Sequence, residues 1–84
     1  MENDTLKNLL EALAVSPDNI PLRLHVASLL LQAKKYSEAA EQFQIVLEKN
    51  FGNERAQLGL AACYFHTGKF SAAAIVYEQL QDVL

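Results

Sequence analysis

The chain has 84 residues, which is room for one small domain. An apolar fraction of 51% and a charged fraction of 20%, with few Gly and Pro, exclude a disordered chain. A formal net charge of -3 provides no basic stripe, so nucleic acid is excluded as a partner class.

Membrane and secretory classes are not expected either. The first residues include Glu2 and Asp4 and lack the basic and apolar regions of a signal peptide. No apolar run approaches the roughly 20 residues that span a bilayer. Cys63 is the single cysteine and has no partner for an internal disulfide, so we expect a cytoplasmic protein.

Apolar residues recur at spacings of three and four along the whole chain, which predicts an all-α fold. Five helices are predicted, at about 4–15, 20–32, 37–49, 54–66 and 70–83.

Helix boundaries follow from local signals. Pro17 ends the first helix, and Pro21 stands in the first turn of the second, where the missing N–H costs least. Ser37 and Ser71 are predicted to begin the third and fifth helices as N-cap residues. Gly68 separates the fourth helix from the fifth.

The sequence repeats itself at an offset of 34 residues, a period typical of helical repeat proteins. Small and large residues recur in the same order in both copies. The matching pairs include Asn19 with Asn53, Leu24 with Leu58, Val26 with Leu60, Ala27 with Ala61, Tyr36 with Phe70, Ala39 with Ala73, and Phe43 with Tyr77.

These pairs resemble the tetratricopeptide repeat family, through its large-small pair, turn aromatic, early small residue and later aromatic. The resemblance implies an α-α superhelix of about five antiparallel helices in a single domain, 1–84. Within it, 20–53 is one repeat, 54–84 an incomplete second, and 1–19 is similar to the second helix of a preceding unit.

The chain departs from the family pattern at five positions. Arg23 and Gln57 replace a first-helix Trp, and Phe51 stands where a terminal proline is usual. Val46 and Leu80 replace a small residue on the second helix. These departures make the packing pattern of the family a less strict guide to this chain.

Catalytic and metal-binding groups are sparse. Cys63 and His66 share a helical face, but two ligands do not complete a zinc site, and a free Cys usually packs as a small apolar residue. No phosphate cradle or metalloprotease motif is present. We therefore expect no enzymatic activity, no cofactor and no metal.

The resemblance further implies a protein-interaction module that holds a peptide or helix of a partner against a concave face. The residues it places there are Leu24, Ser28, Leu31, Gln32, Arg55, Leu58, Ala62, Phe65 and His66. The alternative is that the large apolar members of this set only close a small helical bundle.

One known mode of recognition in the family is not expected. Members that grip chaperone C-terminal carboxylates carry a set of Lys and Asn on these faces, whereas this chain has Leu24, Ser28 and Gly59 at matching positions. A carboxylate clamp is therefore not predicted.

The last helix is unusually apolar, and terminal repeats normally have a polar outer face. Ile75, Val76, Val83 and Leu84 are therefore predicted to meet either a further repeat or, in a homodimer, a second copy. If these residues meet a second copy, the chain is a self-associating structural element. A further alternative comes from residues 6–31, which resemble tetratricopeptide segments that precede AAA-type ATPase domains in bacteria. This resemblance implies an N-terminal adaptor or assembly segment of a larger bacterial protein.

Overall fold

A computed structural model describes residues 2–83, with the side chains of residues 4–80. It contains five helices and, over this described range, no strand, so the predicted all-α fold is confirmed. The helices are α1 (Glu2–Val15), α2 (Ile20–Gln32), α3 (Tyr36–Lys49), α4 (Glu54–His66) and α5 (Phe70–Val83).

The repeat in the sequence is also a repeat in the structure. Helices α1, α3 and α5 begin at residues 2, 36 and 70, and α2 and α4 begin at residues 20 and 54. Both series therefore advance in steps of 34 residues. The predicted bounds of α2, α4 and α5 agree with the structure, while α1 and α3 begin two residues and one residue earlier than predicted.

Asparagine caps the first helix of each pair. The Oδ1 atom of Asn19 accepts a hydrogen bond from the Leu22 N–H at 3.0 Å, and Oδ1 of Asn53 accepts one from the Ala56 N–H at 2.9 Å. Each bond satisfies a helix N–H that has no partner within the helix.

The predicted serine caps are wrong. Lys35 occupies the N-cap position of α3, without a side-chain capping bond, and Ser37 lies inside the helix. Ser71 likewise follows the first residue of α5, Phe70. The repeat aligns Tyr36 with Phe70, and α3 and α5 each begin at this aromatic residue rather than at the serine after it.

The turns inside the two pairs share one backbone geometry. Lys34 and Gly68 have positive φ angles of 63° and 79°, in the left-handed region. The N–H of Lys35 donates to the Leu30 carbonyl at 2.9 Å, and the N–H of Lys69 donates to the Tyr64 carbonyl at 2.8 Å. These bonds satisfy the last carbonyl groups of α2 and α4.

The residues that replace the family tryptophan make hydrogen bonds. Nη2 of Arg23 donates to the Pro17 carbonyl at 2.9 Å, and Nε2 of Gln57 donates to the Phe51 carbonyl at 3.0 Å. One bond links α2, and the other links α4, to the turn that precedes the helix. These polar residues are only partly satisfied, because Nε of Arg23 and Oε1 of Gln57 are buried without a hydrogen-bond partner.

The helices form two layers. Helix α2 packs against α4, whereas α1, α3 and α5 make no contact with one another among the described residues. Since α2 and α4 approach more closely than the helices of the other layer, the stack curves towards them. We call the solvent-exposed surface of α2 and α4 the inner face.

Candidate protein-interaction surface

A row of apolar side chains runs along α4 on the inner face. Leu58 is 51% exposed and Phe65 is 55% exposed, and Ala62 lies half-buried between them. Residues separated by three and four positions lie on one side of a helix, so these three form a continuous stripe. Arg55 is exposed one turn before Leu58 and supplies a positive charge at the start of this stripe.

Aromatic rings extend the stripe at the end of α4. The rings of His66 and Tyr36 are stacked, with centroids 4.8 Å apart and planes 8° apart. Phe65 contacts His66 edge-on at 5.8 Å and Phe70 edge-on at 5.3 Å. This aromatic cluster, Tyr36, Phe65, His66 and Phe70, fixes the orientation of Phe65 through rings on both sides.

Helix α2 contributes less exposed surface than predicted. Ser28 and Leu31 are half-buried, and Gln32 is exposed. Leu24 is 6% exposed and belongs to the hydrophobic core, so its assignment to the binding surface is wrong. The structure explains its difference from Leu58, because α4 lies beside α2, whereas no helix within residues 2–83 lies on the corresponding side of α4.

Gly59 has a packing role that the sequence analysis did not predict, because it considered this residue only through its alignment with the family. The Phe43 ring lies directly over it: a Cβ atom at this position would be 2.2 Å from Cζ of Phe43. A glycine within an apolar helical pattern was the signal for such close packing. Gly59 therefore faces α3 and is not part of the inner face.

Cys63 and His66 do not share an environment. Cys63 is buried, and loss of solvent around the thiol raises its pKa above the ordinary value. His66 lies exposed on the surface, stacked on Tyr36. In the part of the chain that the structure describes, no group of three or more metal-ligating side chains comes together.

The four C-terminal residues predicted to meet a further repeat or a second copy do not all lie on an exposed surface. Ile75 is 57% exposed, as that prediction requires. Val76 is buried because its side of α5 packs against α4, so the prediction that it forms part of this contact surface is wrong. The side chain of Val83 and the whole of Leu84 lie outside the described residues.

A separate open groove of about 450 Å³ lies between α1 and the turn after α2. Leu6, Leu10 and Ala14 form its apolar floor, and Lys7 and Lys35 stand at its edge. Its charged residues are exposed, so the groove offers no buried polar group to orient a small molecule. The inner face remains the better candidate surface.

Comparison with known proteins gave one result. A family model described as a tetratricopeptide repeat matches residues 30–83, from the end of α2 through α5. Neither the curated proteins nor the solved structures gave a match. Between residues 2 and 83, no helix is both long and apolar enough to cross a membrane.

Proposed function

Because the chain belongs to the tetratricopeptide repeat family, whose repeats generally act as protein-interaction modules, we propose that its inner face binds a peptide or helix of another protein. The observation that supports this most is the exposed stripe of Leu58, Ala62 and Phe65 on α4. Large apolar side chains held in a row on a rigid helix are well suited to accept apolar anchors from a partner.

The chemistry of the surface defines the partner segment. Leu58 and Phe65 are two helical turns apart, so a partner helix would contact them with apolar residues spaced by seven. Ser28 and Gln32 on α2 provide polar groups along the border, and Arg55 favours a carboxylate near the start of α4. The partner is therefore an amphipathic segment with apolar residues along one side.

Non-catalytic binding is typical of the family, and we propose it here. The same proposal places the protein in the cytoplasm, where a reduced thiol such as Cys63 persists.

Binding to an array of amphipathic peptides tests the proposal. We expect the peptides that bind the parent chain to lose most of their affinity for Leu58→Gln and Phe65→Gln, because both changes remove exposed apolar contact area. Val15→Gln and Phe51→Gln are matched controls, since Val15 at the end of α1 and Phe51 in the turn before α4 are exposed apolar residues outside the inner face. Circular dichroism would verify that all four variants fold.

Peptides that bind the Phe65→Gln variant as well as the parent chain would refute the proposal. A loss of affinity in the control variants equal to that in the inner-face variants would also count against it, because it would indicate nonspecific apolar adhesion.

A further inference from the structure

Lysine side chains gather at the end of the helices where the turns inside the two helix pairs lie. Lys34 and Lys35 are in the turn between α2 and α3, and Lys69 is in the turn between α4 and α5. The ring of Tyr36, which follows Lys35, stacks on His66 at the end of α4, so the two turns are neighbours. We call these three lysines, together with the aromatic cluster defined above, the turn end.

The turn end has a local positive charge, although the whole chain has a formal net charge of -3. Lys7 of α1 adds a further cation nearby, because it borders the same groove as Lys35. Glu38 is the acidic residue in the first turn of α3, and the first turn of α5 has none. In the described part of the chain the one ion pair joins Lys49 to Asp18, at the opposite end of the helices, so the turn-end lysines have no acidic partner there.

Acidic residues elsewhere in the chain do not cancel this charge in solution. Helix α4 has 13 residues and is therefore about 20 Å long, which separates the turn end from Glu54 at its start. The Debye length is about 8 Å at physiological ionic strength. A short anionic segment at the turn end would therefore be attracted by the lysines, while the charge at the other end is screened.

The backbone at Lys34 is a second, independent observation. Lys34 has a φ angle of 63°, a conformation that is costly for a residue with a Cβ atom, whereas its counterpart Gly68 adopts it freely at 79°. The Lys34 side chain is exposed and forms no ion pair or side-chain hydrogen bond with the described residues, so no internal contact offsets this cost. Backbone strain of this kind is concentrated at sites that hold a ligand.

Exposed aromatic rings lie beside these lysines. Phe65 and Phe70 are 55% and 60% exposed, and their rings are in edge contact. The Lys69 ammonium group lies 5.9 Å from the centre of the Tyr64 ring, which is close enough for a cation–π contact. Because neighbouring rings hold one another in place, this surface can accept an apolar side chain without first becoming ordered.

From these observations we infer that the turn end binds a short acidic segment of another protein that carries an aromatic side chain among its carboxylates. The carboxylates would face the lysines, and the aromatic side chain would pack against Phe65 and Phe70. A protein segment fits better than a nucleic acid, whose evenly spaced phosphates would continue past the lysines to the acidic remainder of the chain. The inference goes beyond the binding of an apolar segment to the inner face, with which the turn end shares only Phe65 and His66.

A synthetic peptide of sequence Glu-Asp-Glu-Phe-Asp-Glu-Asp provides the probe, and a matched peptide has serine in place of phenylalanine. Both would be titrated into the full ¹⁵N-labelled chain at about 50 mM salt, where screening is weak. We expect saturable shifts of the amide signals of residues 33–36 and 65–70, and an affinity about ten-fold lower for the serine peptide because it lacks the ring. Raising the salt to about 500 mM should weaken binding about ten-fold or more, because the lysines are exposed.

Variants of the chain test the role of the lysines. Lys34→Gln and Lys69→Gln should each weaken binding of the phenylalanine peptide about three-fold, and together about ten-fold. Lys49→Gln is the matched control, because it removes the same charge at the other end of the helices, and it should leave binding within about 1.5-fold. Leu58→Gln should leave binding within about two-fold, so the result is independent of the inner face.

Lys34→Gly separates binding from stability. This variant relieves the backbone strain and removes the charge, so it should raise the thermal midpoint and still weaken peptide binding about three-fold. If binding is unchanged in Lys34→Gly and in the double lysine variant, the inference is overturned.

Three other results would also overturn the inference. Equal binding of the two peptides would remove the role of the rings. An equal loss in Lys49→Gln would show that net charge, and not the turn end, governs binding. Tighter saturable binding of oligothymidylate or of phosphatidylserine vesicles than of the peptide would identify the occupant as a nucleic acid or a membrane.

Discussion

The contact between Gly59 and Phe43 allows a mutation whose effect on stability should reverse sign with its background. In the parent chain, the Cβ atom added by Gly59→Ala would lie 2.2 Å from Cζ of Phe43 and 2.5 Å from both Cε atoms. Carbon atoms in good contact are about 3.5–4.0 Å apart. The Phe43 ring is almost fully buried, so it cannot move away without disturbing the core.

Two opposing terms set the size of the effect. Overpacking of a core costs about 1–3 kcal/mol, and the overlap at Gly59 places this change at the upper end, near 3 kcal/mol. Replacing Gly by Ala within a helix stabilises that helix by about 1 kcal/mol. We therefore expect Gly59→Ala to lower the free energy of unfolding by about 2 kcal/mol, equivalent to a fall of about 8–16 °C in the thermal midpoint.

The same mutation should stabilise a chain that already carries Phe43→Leu. All three atoms that approach the added Cβ most closely belong to the Phe43 ring, and leucine lacks them. Only the gain in helix propensity then remains, so Gly59→Ala should raise the free energy of unfolding by up to about 1 kcal/mol. The coupling between the two sites would be about 3 kcal/mol.

Urea unfolding of the parent, both single variants and the double variant, monitored by circular dichroism, measures this cycle. The midpoints should be compared together with the slopes, because a changed slope would indicate a change in the unfolded or native ensemble. If Gly59→Ala lowers stability equally in both backgrounds, the ring is not the reason for the glycine, and the packing argument is refuted.

Three further predictions concern the turns, a cap and the buried thiol. Lys34→Gly should stabilise the chain by about 0.5–1 kcal/mol and Gly68→Lys should destabilise it by a similar amount, because both positions are left-handed and an added Cβ at Gly68 meets no atom within 4 Å; opposite shifts in thermal midpoint check this. Asn53→Ala should cost about 1 kcal/mol in urea unfolding through the lost bond to the Ala56 N–H, and an unchanged midpoint would contradict the capping role. The raised pKa of Cys63 means that folding favours the protonated thiol, so the contribution of this thiol to stability is complete below its pKa in the unfolded chain and is lost as pH rises through its higher pKa in the folded chain. Cys63→Ala should therefore reduce the fall in stability on the alkaline side, as measured by urea unfolding across that pH range. An equal fall in both proteins would count against this prediction.

Much of the fold could be predicted because the 34-residue repeat and the helical spacing point to the same five elements. Pro17, Pro21 and Gly68 marked boundaries through backbone geometry, which is a local property. The serine caps were wrong because tertiary contact competed with local preference. Tyr36 continues α3 by one residue and stacks on His66, a contact that no local pattern reveals.

The candidate surface was less predictable because equal positions in the repeat have unequal neighbours. Leu24 and Leu58 have the same residue type and register, yet one is in the core and the other is half exposed. The difference depends on whether another helix lies alongside, which the spacing of apolar residues does not encode. The prediction for Val76 was wrong for a related reason, since the apolar helix α5 has a covered side as well as an exposed side.

The separation of the outer helices also has a consequence for how the chain folds and opens. Each helix contacts only those one or two places away in sequence, so folding closes short loops and can begin at any neighbouring pair. Among the described residues, helix α1 packs on α2 alone, and less extensively than the other neighbouring helices pack on one another. Its amides should therefore exchange with solvent before those of α2 to α4. Opening at α1 would leave α4 and α5 in place, so the exposed apolar stripe of α4 can stay assembled while the other end of the chain frays.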